Sequence, residues 1–273
     1  MSTTTRTWFI TGSSRGFGRV WAEAALNRGD NVVLTARNTD AVAELVERFP
    51  EQTHAVQLDV TDRDAVFAAV QQGMDRFDQL DIIVANAGYG LFGAVEETTE
   101  DQARRQIEVN VFGALWLLQA IAPVLRAQQH GRVLITSSFG GLMSFPTAAL
   151  YGASKYAVEG LGESFAQETQ DFGTKVTLIE PGAYATDFMG DSGDQTEALS
   201  AYDGARARTG EFFSNMPAAD PTHTGHAILA LTDMDQPPLR LILGEHAMPL
   251  VVDTYNERIA SWQQQQTLAA SAQ

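Results

Sequence analysis

Thr11-Gly12-Ser13-Ser14-Arg15-Gly16-Phe17-Gly18 stands between a buried strand at Trp8-Phe9-Ile10 and a helical pattern over residues 17–28. Its glycines allow the backbone to approach a pyrophosphate closely, and the N–H groups at the start of the following helix favour a negative charge. The spacing is Gly-x-x-x-Gly-x-Gly, which differs from the Gly-x-Gly-x-x-Gly pattern of many dinucleotide sites. The stretch therefore predicts a strand, a phosphate-binding turn and a helix at the beginning of a nucleotide-binding fold.

Strand and helix patterns continue to alternate along the chain. Continuously apolar segments predict strands at residues 32–36, 55–58, 82–85, 132–136, 176–179 and 239–243. Helical periodicity predicts helices at residues 41–49, 64–77, 100–126, 149–172, 222–232 and 250–262. Strands that are apolar throughout are typical of a parallel sheet covered on both faces. We therefore predict an α/β fold, a single-domain, Rossmann-type, doubly wound parallel sheet of about seven strands.

Length and pattern also predict the domain organisation. The 273 residues suit one dinucleotide-binding domain, residues 1–273, without a second domain. Residues 184–217 are polar, contain glycine and are weakly periodic, so we predict a substrate loop there. Residues 263–273 begin with four glutamines and continue with small residues, and we expect this tail to fray.

Composition disfavours several classes of function. With 34 acidic against 18 basic residues, the net charge of −16 disfavours binding to nucleic acid and to anionic membranes. The absence of cysteine excludes disulfides, thiolate metal sites and cysteine nucleophiles. The five histidines form no metal-binding pattern, so we assign no metal. Because we find neither a signal-peptide pattern nor an apolar run long enough to span a bilayer, we expect a cytoplasmic protein.

Four acidic residues, Glu96, Glu97, Glu100 and Asp101, lie just before or at the start of the long helix predicted at residues 100–126. Carboxylates at this position interact favourably with the positive end of the helix dipole. We expect this electrostatic role for them and no part in catalysis.

Tyr151 and Lys155 lie four residues apart in a predicted helix. Residues at this spacing share a helix face, so the ammonium can approach the phenol and lower its pKa from the usual value of about 10. Lys155 and Lys175 are the only lysines in the chain, which otherwise uses arginine. The planar arginine fork could not readily replace a compact ammonium beside Tyr151. The pair therefore predicts a tyrosine that exchanges protons.

Together these motifs resemble those of the short-chain dehydrogenase/reductase family over nearly the whole chain. Besides the glycine turn and the tyrosine–lysine pair, the matching positions are Asn86-Ala87-Gly88, Asn110, Ser137-Ser138 and Pro181-Gly182. Two stretches are also similar to the branch that contains 17β-hydroxysteroid dehydrogenase-like and bacterial carbonyl reductases. They are Asn86-Ala87-Gly88-Tyr89-Gly90 and Pro181-Gly182-Ala183-Tyr184-Ala185-Thr186-Asp187-Phe188.

The resemblance implies a role for each catalytic residue. Tyr151 would give a proton to a carbonyl oxygen, or accept one in the reverse direction. Lys155 would lower the tyrosine pKa and hold the hydroxyls of the nicotinamide ribose. Ser138 would hydrogen-bond the substrate oxygen, with Ser137 as the competing candidate. Asn110 would hold a water that links Lys155 to bulk solvent.

The end of the second strand favours NADP(H) as the cofactor. An acidic residue at this point would bind the adenosine ribose of NAD and repel a 2′-phosphate, but the sequence reads Ala36-Arg37-Asn38. Arg37 offers a guanidinium fork to the 2′-phosphate, and Arg15 in the glycine turn could contact the same group.

The resemblance implies the remaining cofactor contacts. Residues after the third strand would reach the adenine, those after the fourth strand the adenosine ribose, and those after the sixth strand the nicotinamide. The cofactor-binding residues expected in total are Gly12, Ser14, Arg15, Gly16, Phe17, Gly18, Arg37, Asp59, Val60, Asn86, Ala87, Gly88, Tyr151, Lys155, Pro181, Gly182 and Thr186.

Apolar side chains near these motifs favour an apolar substrate. Several of them are expected to line the pocket: Phe92, Phe139, Met143, Phe145, Tyr184, Phe188 and Met189. We therefore expect an NADP(H)-dependent carbonyl reductase that acts reversibly on an apolar ketone, aldehyde or secondary alcohol. The alternatives are a hydroxysteroid or retinol-type dehydrogenase and, from a different class, an NADP(H)-sensing regulatory protein. The resemblance also implies a homo-oligomer, a dimer or a homotetramer, built through the helices at residues 100–126 and 149–172.

Overall fold

The computed structural model describes residues 5–186, 188 and 193–272. Asp187 of the family motif and Met189 of the predicted pocket wall lie outside the described residues. The strands are β1 (Thr7–Ile10), β2 (Asn31–Ala36), β3 (Thr53–Gln57), β4 (Ile82–Ala85), β5 (Leu91–Phe92), β6 (Gly131–Thr136), β7 (Thr174–Pro181), β8 (Asp194–Gln195) and β9 (Arg240–Leu243). The α-helices are α1 (Gly16–Arg28), α2 (Ala43–Arg48), α3 (Arg63–Phe77), α4 (Glu100–Ile107), α5 (Gly113–Gln128), α6 (Ala149–Glu168), α7 (Asp203–Ser214), α8 (Thr224–Asp233), α9 (Ala247–Gln264) and α10 (Gln266–Ala270).

Seven of the strands form one parallel sheet in the order β3-β2-β1-β4-β6-β7-β9. This confirms the predicted doubly wound α/β fold. The chain moves outward from β1 to β3 and then returns to β4 on the other side of β1, so the strand order reverses between β1 and β4. Ligands of such sheets bind at the carboxyl ends of the strands beside this point. Residues 11–18 and Asn86 lie there.

Two apolar layers cover the two faces of the sheet. Along β1, Phe9 packs in the layer that contains residues of α3, α5 and α6, whereas Trp8 and Ile10 pack with α1 and α8. All three side chains are fully buried. Burial of a side chain of this size contributes roughly 1.5–3 kcal/mol to folding. The strand is apolar throughout because neither of its faces meets solvent.

The long helix predicted at residues 100–126 contains a π-helical segment, Glu108–Phe112, between α4 and α5. The N–H of Gly113 donates to the carbonyl of Glu108, five residues earlier. A Cβ on Gly113 would come within 2.8 Å of the Val60 side chain, so the helix lies very close to the end of β3. Single π turns often occur at functional positions, and this one carries Asn110.

Residues 184–217 contain more regular structure than their sequence indicated. β8 pairs with β5 in a small parallel sheet, and α7 adds three turns of helix. Helix α7 contains no fully buried residue, so it lacks the strong apolar stripe by which helices are recognised in a sequence. Its role toward substrate stays a prediction.

The carboxyl-terminal residues, which were expected to fray, are helical for most of their length. Helix α9 extends to Gln264, α10 covers Gln266–Ala270, and residues 261–272 are all exposed. Helix α9 begins three residues earlier than predicted because Pro249 falls in its first turn, where the missing N–H has no helical partner to lose.

The continuous helix from Glu100 to Gln128 is long and apolar enough to cross a membrane by length and composition, with a mean hydropathy of 1.5 over an 18-residue window. The expectation that no apolar run has this length was wrong by those criteria. In this fold Leu117, Ile121 and Leu125 of the helix are buried in the core beside the sheet. An apolar core helix passes the same test as a membrane span.

Candidate active site

A cleft of about 1200 Å³ opens at the carboxyl edge of the sheet, beside the point where the strand order reverses. Every residue predicted to bind the cofactor or to act in catalysis lines it except Gly18 and Asn110. Both of these are buried against lining residues, Gly18 against the carbonyl of Gly12 and Asn110 against Gly88. The fold therefore brings together positions that are up to about 170 residues apart in the chain.

The glycine turn has a backbone that only glycine adopts easily. Gly12 and Gly16 have φ angles of 72° and 55°, in the left-handed region. A Cβ on Gly18 would lie 2.2 Å from the carbonyl oxygen of Gly12, a distance that no side chain can occupy. These three positions therefore explain the spacing of the sequence motif.

The N-terminus of α1 opens onto the cleft. Within the described residues no side chain caps this end, and the first turn contains no acidic residue. Gly16 and Phe17, which begin the helix, line the cleft. Uncapped N–H groups and the positive end of the helix dipole fit a pyrophosphate, so this part of the cleft suits a dinucleotide.

Asn86 holds the glycine turn in place. Its Nδ2 donates to the carbonyls of Thr11 (3.0 Å) and Gly12 (3.2 Å), and Thr11 Oγ1 accepts the N–H groups of Asn86 and Ala87. The ends of β1 and β4 are thereby joined through side chains. This structural role was not predicted from the sequence, and a contact between Asn86 and the ribose stays a prediction.

The far end of the cleft is basic. Arg15 and Arg37 both line it and are both exposed. Among the described residues, neither guanidinium lies within ion-pairing distance of a carboxylate. Asp59 nearby accepts hydrogen bonds from the N–H and the hydroxyl of Thr61. Burial opposes ionisation of Asp59, but these hydrogen bonds and the charge of Arg37 bring its pKa below the usual range.

Ser138, Tyr151 and Lys155 meet at the other end. Ser138 follows β6, while Tyr151 and Lys155 lie one turn apart at the start of α6. Lys155 Nζ is 5.9 Å from the centre of the Tyr151 ring and donates to the carbonyl of Thr136 at 2.7 Å. The Tyr151 ring lies 6.0 Å from the ring of Phe92 and 5.1 Å from that of Phe188. The Tyr151 side chain therefore has a polar neighbour in Ser138 and an apolar side formed by Phe92 and Phe188.

The expectation that Lys155 lowers the pKa of Tyr151 is not met in this structure. Burial raises the pKa of Tyr151 to about 12, and a hydrogen bond with Ser138 acts in the opposite direction. Burial also lowers the pKa of Lys155 to about 8, against the charge of Glu159. Desolvation outweighs the attraction between charges because the ammonium is directed to the carbonyl of Thr136 and not to the phenol.

The structure distinguishes the two candidate serines by their contacts. Ser138 is the serine that acts on the pKa of Tyr151, and its Oγ accepts the N–H of Gly140 at 3.0 Å. The Oγ of Ser137 is buried and has no hydrogen-bond partner among the described residues. This geometry supports Ser138, whose catalytic role stays a prediction.

Asn110 uses its side chain to hold the fold together. Its Nδ2 donates to the carbonyl of Tyr89 (2.9 Å) and to the Ser154 hydroxyl (3.0 Å), and its Oδ1 accepts the N–H of Tyr89. The π turn is thereby joined both to the segment after β4 and to α6. Both amide hydrogens are in use, and the water-holding role of Asn110 stays a prediction.

Aromatic side chains form the substrate end of the cleft. Phe92, Phe139, Phe145, Tyr184 and Phe188 line it as predicted. Met143 does not line it, but it packs in the apolar cluster that also contains the cleft-lining Phe139 and Phe145, next to α9. The sequence pattern did not indicate the residues that α7 and the turn after it contribute, which are Thr209, Phe213 and Met216.

One buried carboxylate attaches α7 to the rest of the domain. The side chain of Glu97 has no exposed surface, and it accepts hydrogen bonds from the N–H groups of Ala94 and Leu199 and from the Thr196 hydroxyl. The guanidinium of Arg206 donates to both of its oxygens, at 2.6 and 2.9 Å, and this bond is the main reason why the pKa of Glu97 is far below its usual range. The purely electrostatic helix-end role expected for Glu97 is therefore wrong.

Comparison with known proteins agrees with this fold. The family model described as short chain dehydrogenase matches residues 6–197. The oxidoreductase BOA17 of Botryotinia fuckeliana is 39% identical over 248 residues, which cover 89% of this chain and 90% of that protein. A short-chain dehydrogenase structure from Streptomyces avermitilis superposes over 100% of both chains with a TM-score of 0.93 and 36% identity. An alcohol dehydrogenase from Thermococcus sibiricus, complexed with 5-hydroxy-NADP, has a TM-score of 0.74 and 26% identity over 88% of this chain and 96% of that one.

Proposed function

This chain belongs to the short-chain dehydrogenase family of oxidoreductases, and we propose that it transfers hydride between NADP(H) and an apolar ketone, aldehyde or secondary alcohol. The observation that carries the proposal is the position of Tyr151, which lines the cleft with Ser138 and packs against the rings of Phe92 and Phe188. A carbonyl group on an apolar molecule could approach the phenol from this side.

In the proposed reaction the nicotinamide supplies or accepts the hydride, and the protein handles the proton. The Tyr151 hydroxyl gives its proton to the carbonyl oxygen, which Ser138 holds by a hydrogen bond. The Lys155 ammonium, fixed by the carbonyl of Thr136, is placed to hold the hydroxyls of the nicotinamide ribose. The glycine turn and the N-terminus of α1 hold the pyrophosphate.

The raised pKa of Tyr151 gives the two directions of the proposed reaction different pH dependences. A phenol with a pKa of about 12 keeps its proton at neutral pH and is ready to act as an acid. The reverse reaction needs the phenolate, which becomes more abundant only as the pH rises toward that value. We therefore propose that the rate of the reverse reaction, oxidation of the alcohol, rises with pH above neutrality.

The proposed preference for NADP(H) rests on Arg15 and Arg37. Structures in the same fold class are known with NADP-type and with NAD cofactors, so the fold does not decide between them. The absence of an acidic residue after β2 and the presence of two exposed guanidinium groups in the cleft favour a 2′-phosphate.

Replacing Arg37 with Asp is expected to raise the Michaelis constant for NADPH and to narrow the preference over NADH. The substitution removes one charge-assisted contact, which contributes about 1.5–3 kcal/mol. The ratio of kcat/KM for NADPH to kcat/KM for NADH should therefore fall by roughly 10- to 150-fold. Steady-state kinetics with both cofactors measure it. The matched control is Arg126→Asp, which makes the same charge change at the exposed end of α5. Equal effects of the two substitutions would mean that Arg37 only contributes to the net charge.

Turnover tests the proposed function directly. Oxidation of NADPH should be followed with apolar ketones, diketones, aryl aldehydes and steroids. The substrates that react fastest also distinguish a carbonyl reductase from the hydroxysteroid or retinol-type alternative. Rapid turnover of any of them would support the reductase. Tight binding of NADPH without turnover on the whole panel would favour the NADP(H)-sensing alternative. A cytoplasmic location and assembly into dimers or tetramers complete the proposal.

A further inference from the structure

Behind Lys155 lies a partly buried group of charged side chains, and Lys155 is the only one of them to which the proposed reaction gives a role. Lys155, Glu159 and Glu163 occupy successive turns of α6, Glu180 lies on β7 and Arg240 on β9. The side chains of Glu159 and Glu180 are only 7% and 0% exposed. The Arg240 guanidinium lies 3.0 Å from Glu159, 2.7 Å from Glu163 and 3.5 Å from Glu180. We call these five residues the Arg240 cluster.

Glu159 connects the cluster to the active site. It lies four residues after Lys155, so the two side chains share a face of α6. A Cβ on Gly141 would lie 3.2 Å from Glu159 Cγ and 2.8 Å from Ser137 Oγ, so a glycine is needed where the glutamate passes the end of β6. Lys155 is anchored at the same strand end, on the carbonyl of Thr136. Glu159 and Lys155 therefore lie one helical turn apart on one face of α6, and both side chains are buried, where charge interactions are stronger than in water.

The charges of the cluster balance only if one carboxyl group is protonated. With all three glutamates ionised, their three negative charges exceed the two positive charges of Arg240 and Lys155. Burial and then the charge of Glu159 raise the pKa of Glu180 to about 8, so Glu180 is mostly protonated at neutral pH. Its hydroxyl can then donate to Glu159, whose Oε1 has no other hydrogen-bond partner among the described residues. Glu159 and Glu163 remain to balance Arg240 and Lys155.

Other titratable groups face the cluster from two sides. Tyr151 lies on the cleft side. Tyr156 of α6 and Tyr255 and Arg258 of α9 lie on the other, where the Arg258 guanidinium donates to the Tyr156 hydroxyl at 2.7 Å. Burial raises the pKa values of Tyr151 and Tyr255, and no carboxylate other than Glu159, Glu163 and Glu180 lies within 4 Å of Arg240 in the described residues. Glu159 is therefore the carboxylate of the cluster nearest to Lys155 in sequence, and its charge is the one that raises the pKa of Lys155 against the effect of burial.

We propose that Glu159, which Arg240 holds by an ion pair, is a positioning residue whose carboxylate stabilises the Lys155 ammonium within the wall of the cleft. This inference rests on the proposed function, in which Lys155 must be a cation to hold the hydroxyls of the nicotinamide ribose beside Tyr151. The charge of Lys155 is nevertheless a property of the chain alone and can be measured without substrate.

The expected result follows from the sign of the interaction. Burial lowers the pKa of Lys155 to about 8, and the Glu159 charge opposes this fall. Lys155 is charged below its pKa and loses the charge as the pH rises through it. Removing the carboxylate in Glu159→Gln should therefore move this transition to lower pH by about one unit, a tenfold change in proton affinity.

The chain is well suited to this measurement because Lys155 and Lys175 are its only lysines. Lysine labelled with ¹³C at Cε gives two side-chain NMR signals, and Lys175→Arg identifies the one from Lys155. The signal of Lys155 is titrated in the wild type, in Glu159→Gln and in the matched control Glu163→Gln, which removes the half-exposed carboxylate of the same cluster. A shift in Glu159→Gln much larger than in Glu163→Gln supports the proposal, and equal midpoints in all three proteins overturn it.

Two further variants keep the proposal testable if Glu159→Gln does not fold. Glu159→Asp retains the charge and should keep the Lys155 midpoint near the wild-type value. Glu180→Gln removes the neighbouring carboxyl group but keeps the carboxylate of Glu159. The titration midpoint of Lys155 should therefore stay at the wild-type pH or rise, and a fall would contradict the proposal. The pH above which NADPH-dependent reduction declines should follow the NMR midpoint across the variants. A shifted midpoint in a protein without turnover would support the inference and count only against the proposed function.

Discussion

Tyr151→Phe is expected to abolish reduction while leaving NADPH binding almost unchanged. The substitution removes only the hydroxyl that gives its proton to the carbonyl oxygen, and loss of a positioned acid typically lowers the rate by about 10²- to 10⁴-fold. The ring remains and keeps its packing against Phe92 and Phe188. Steady-state kinetics give the change in kcat, and titration of NADPH by fluorescence gives its dissociation constant.

Tyr156→Phe is the matched control for this prediction. Tyr156 lies on the same helix, but its hydroxyl accepts a hydrogen bond from Arg258 and does not line the cleft. The control should therefore retain most of the wild-type kcat. If Tyr151→Phe also retained near wild-type turnover, the phenol could not be the proton donor. Weak NADPH binding in Tyr151→Phe would instead show that the substitution had disturbed the cleft as a whole.

Arg206→Met is expected to impair use of the substrate far more than binding of the cofactor. The substitution leaves the fully buried carboxylate of Glu97 without its counterion. The hydrogen bonds that Glu97 accepts from the Leu199 N–H and the Thr196 hydroxyl should then weaken or break. Helix α7 would then move away from the aromatic end of the cleft. A misplacement of about 1 Å can lower a rate by roughly 10²-fold, and we expect kcat/KM for the carbonyl substrate to fall by about 10- to 100-fold.

The dissociation constant of NADPH should change by less than about twofold in Arg206→Met, because the glycine turn and Arg37 lie at the other end of the cleft. Arg208→Met provides the control, since it replaces an exposed arginine of the same helix that is not paired with any described carboxylate. Indistinguishable kinetics in the two variants would show that the bond between Arg206 and Glu97 does not position the substrate wall. Thermal unfolding of both proteins shows how much of any effect is lost stability.

The parts of the site that follow single strands were accessible from the sequence. In a parallel sheet the carboxyl ends of all strands lie at one edge, so residues 11–18, Asn86, Ser138 and Pro181 could be assigned to one cleft once their strands were recognised. The glycine positions could be predicted as well, because backbone geometry at Gly12 and Gly18 leaves no alternative. Fold and cleft therefore depend on local pattern and on the order of the strands.

What the sequence did not indicate depends on contacts between distant segments. Glu97 and Arg206 are 109 residues apart, and neither stands out until the fold places the guanidinium on the buried carboxylate. The pKa of Tyr151 was predicted in the wrong direction because spacing along a helix indicates proximity but not burial, and burial has the larger effect here. The π turn at Asn110 arises from tertiary hydrogen bonds to Tyr89 and Ser154, which no local periodicity encodes.

Arg206 attaches α7 to the domain from a position outside the cleft. Thr209, Phe213 and Met216 face the cleft at a spacing of four and three residues, whereas Arg206, which holds the segment, does not line it. A substitution at Phe213 or Met216 would therefore change both the cleft wall and the packing of this segment, while the bond from Arg206 to Glu97 would still hold α7 to the domain. Over evolutionary time this arrangement would allow new substrate preferences to appear in a stable protein, and directed evolution of the enzyme can begin at these three positions.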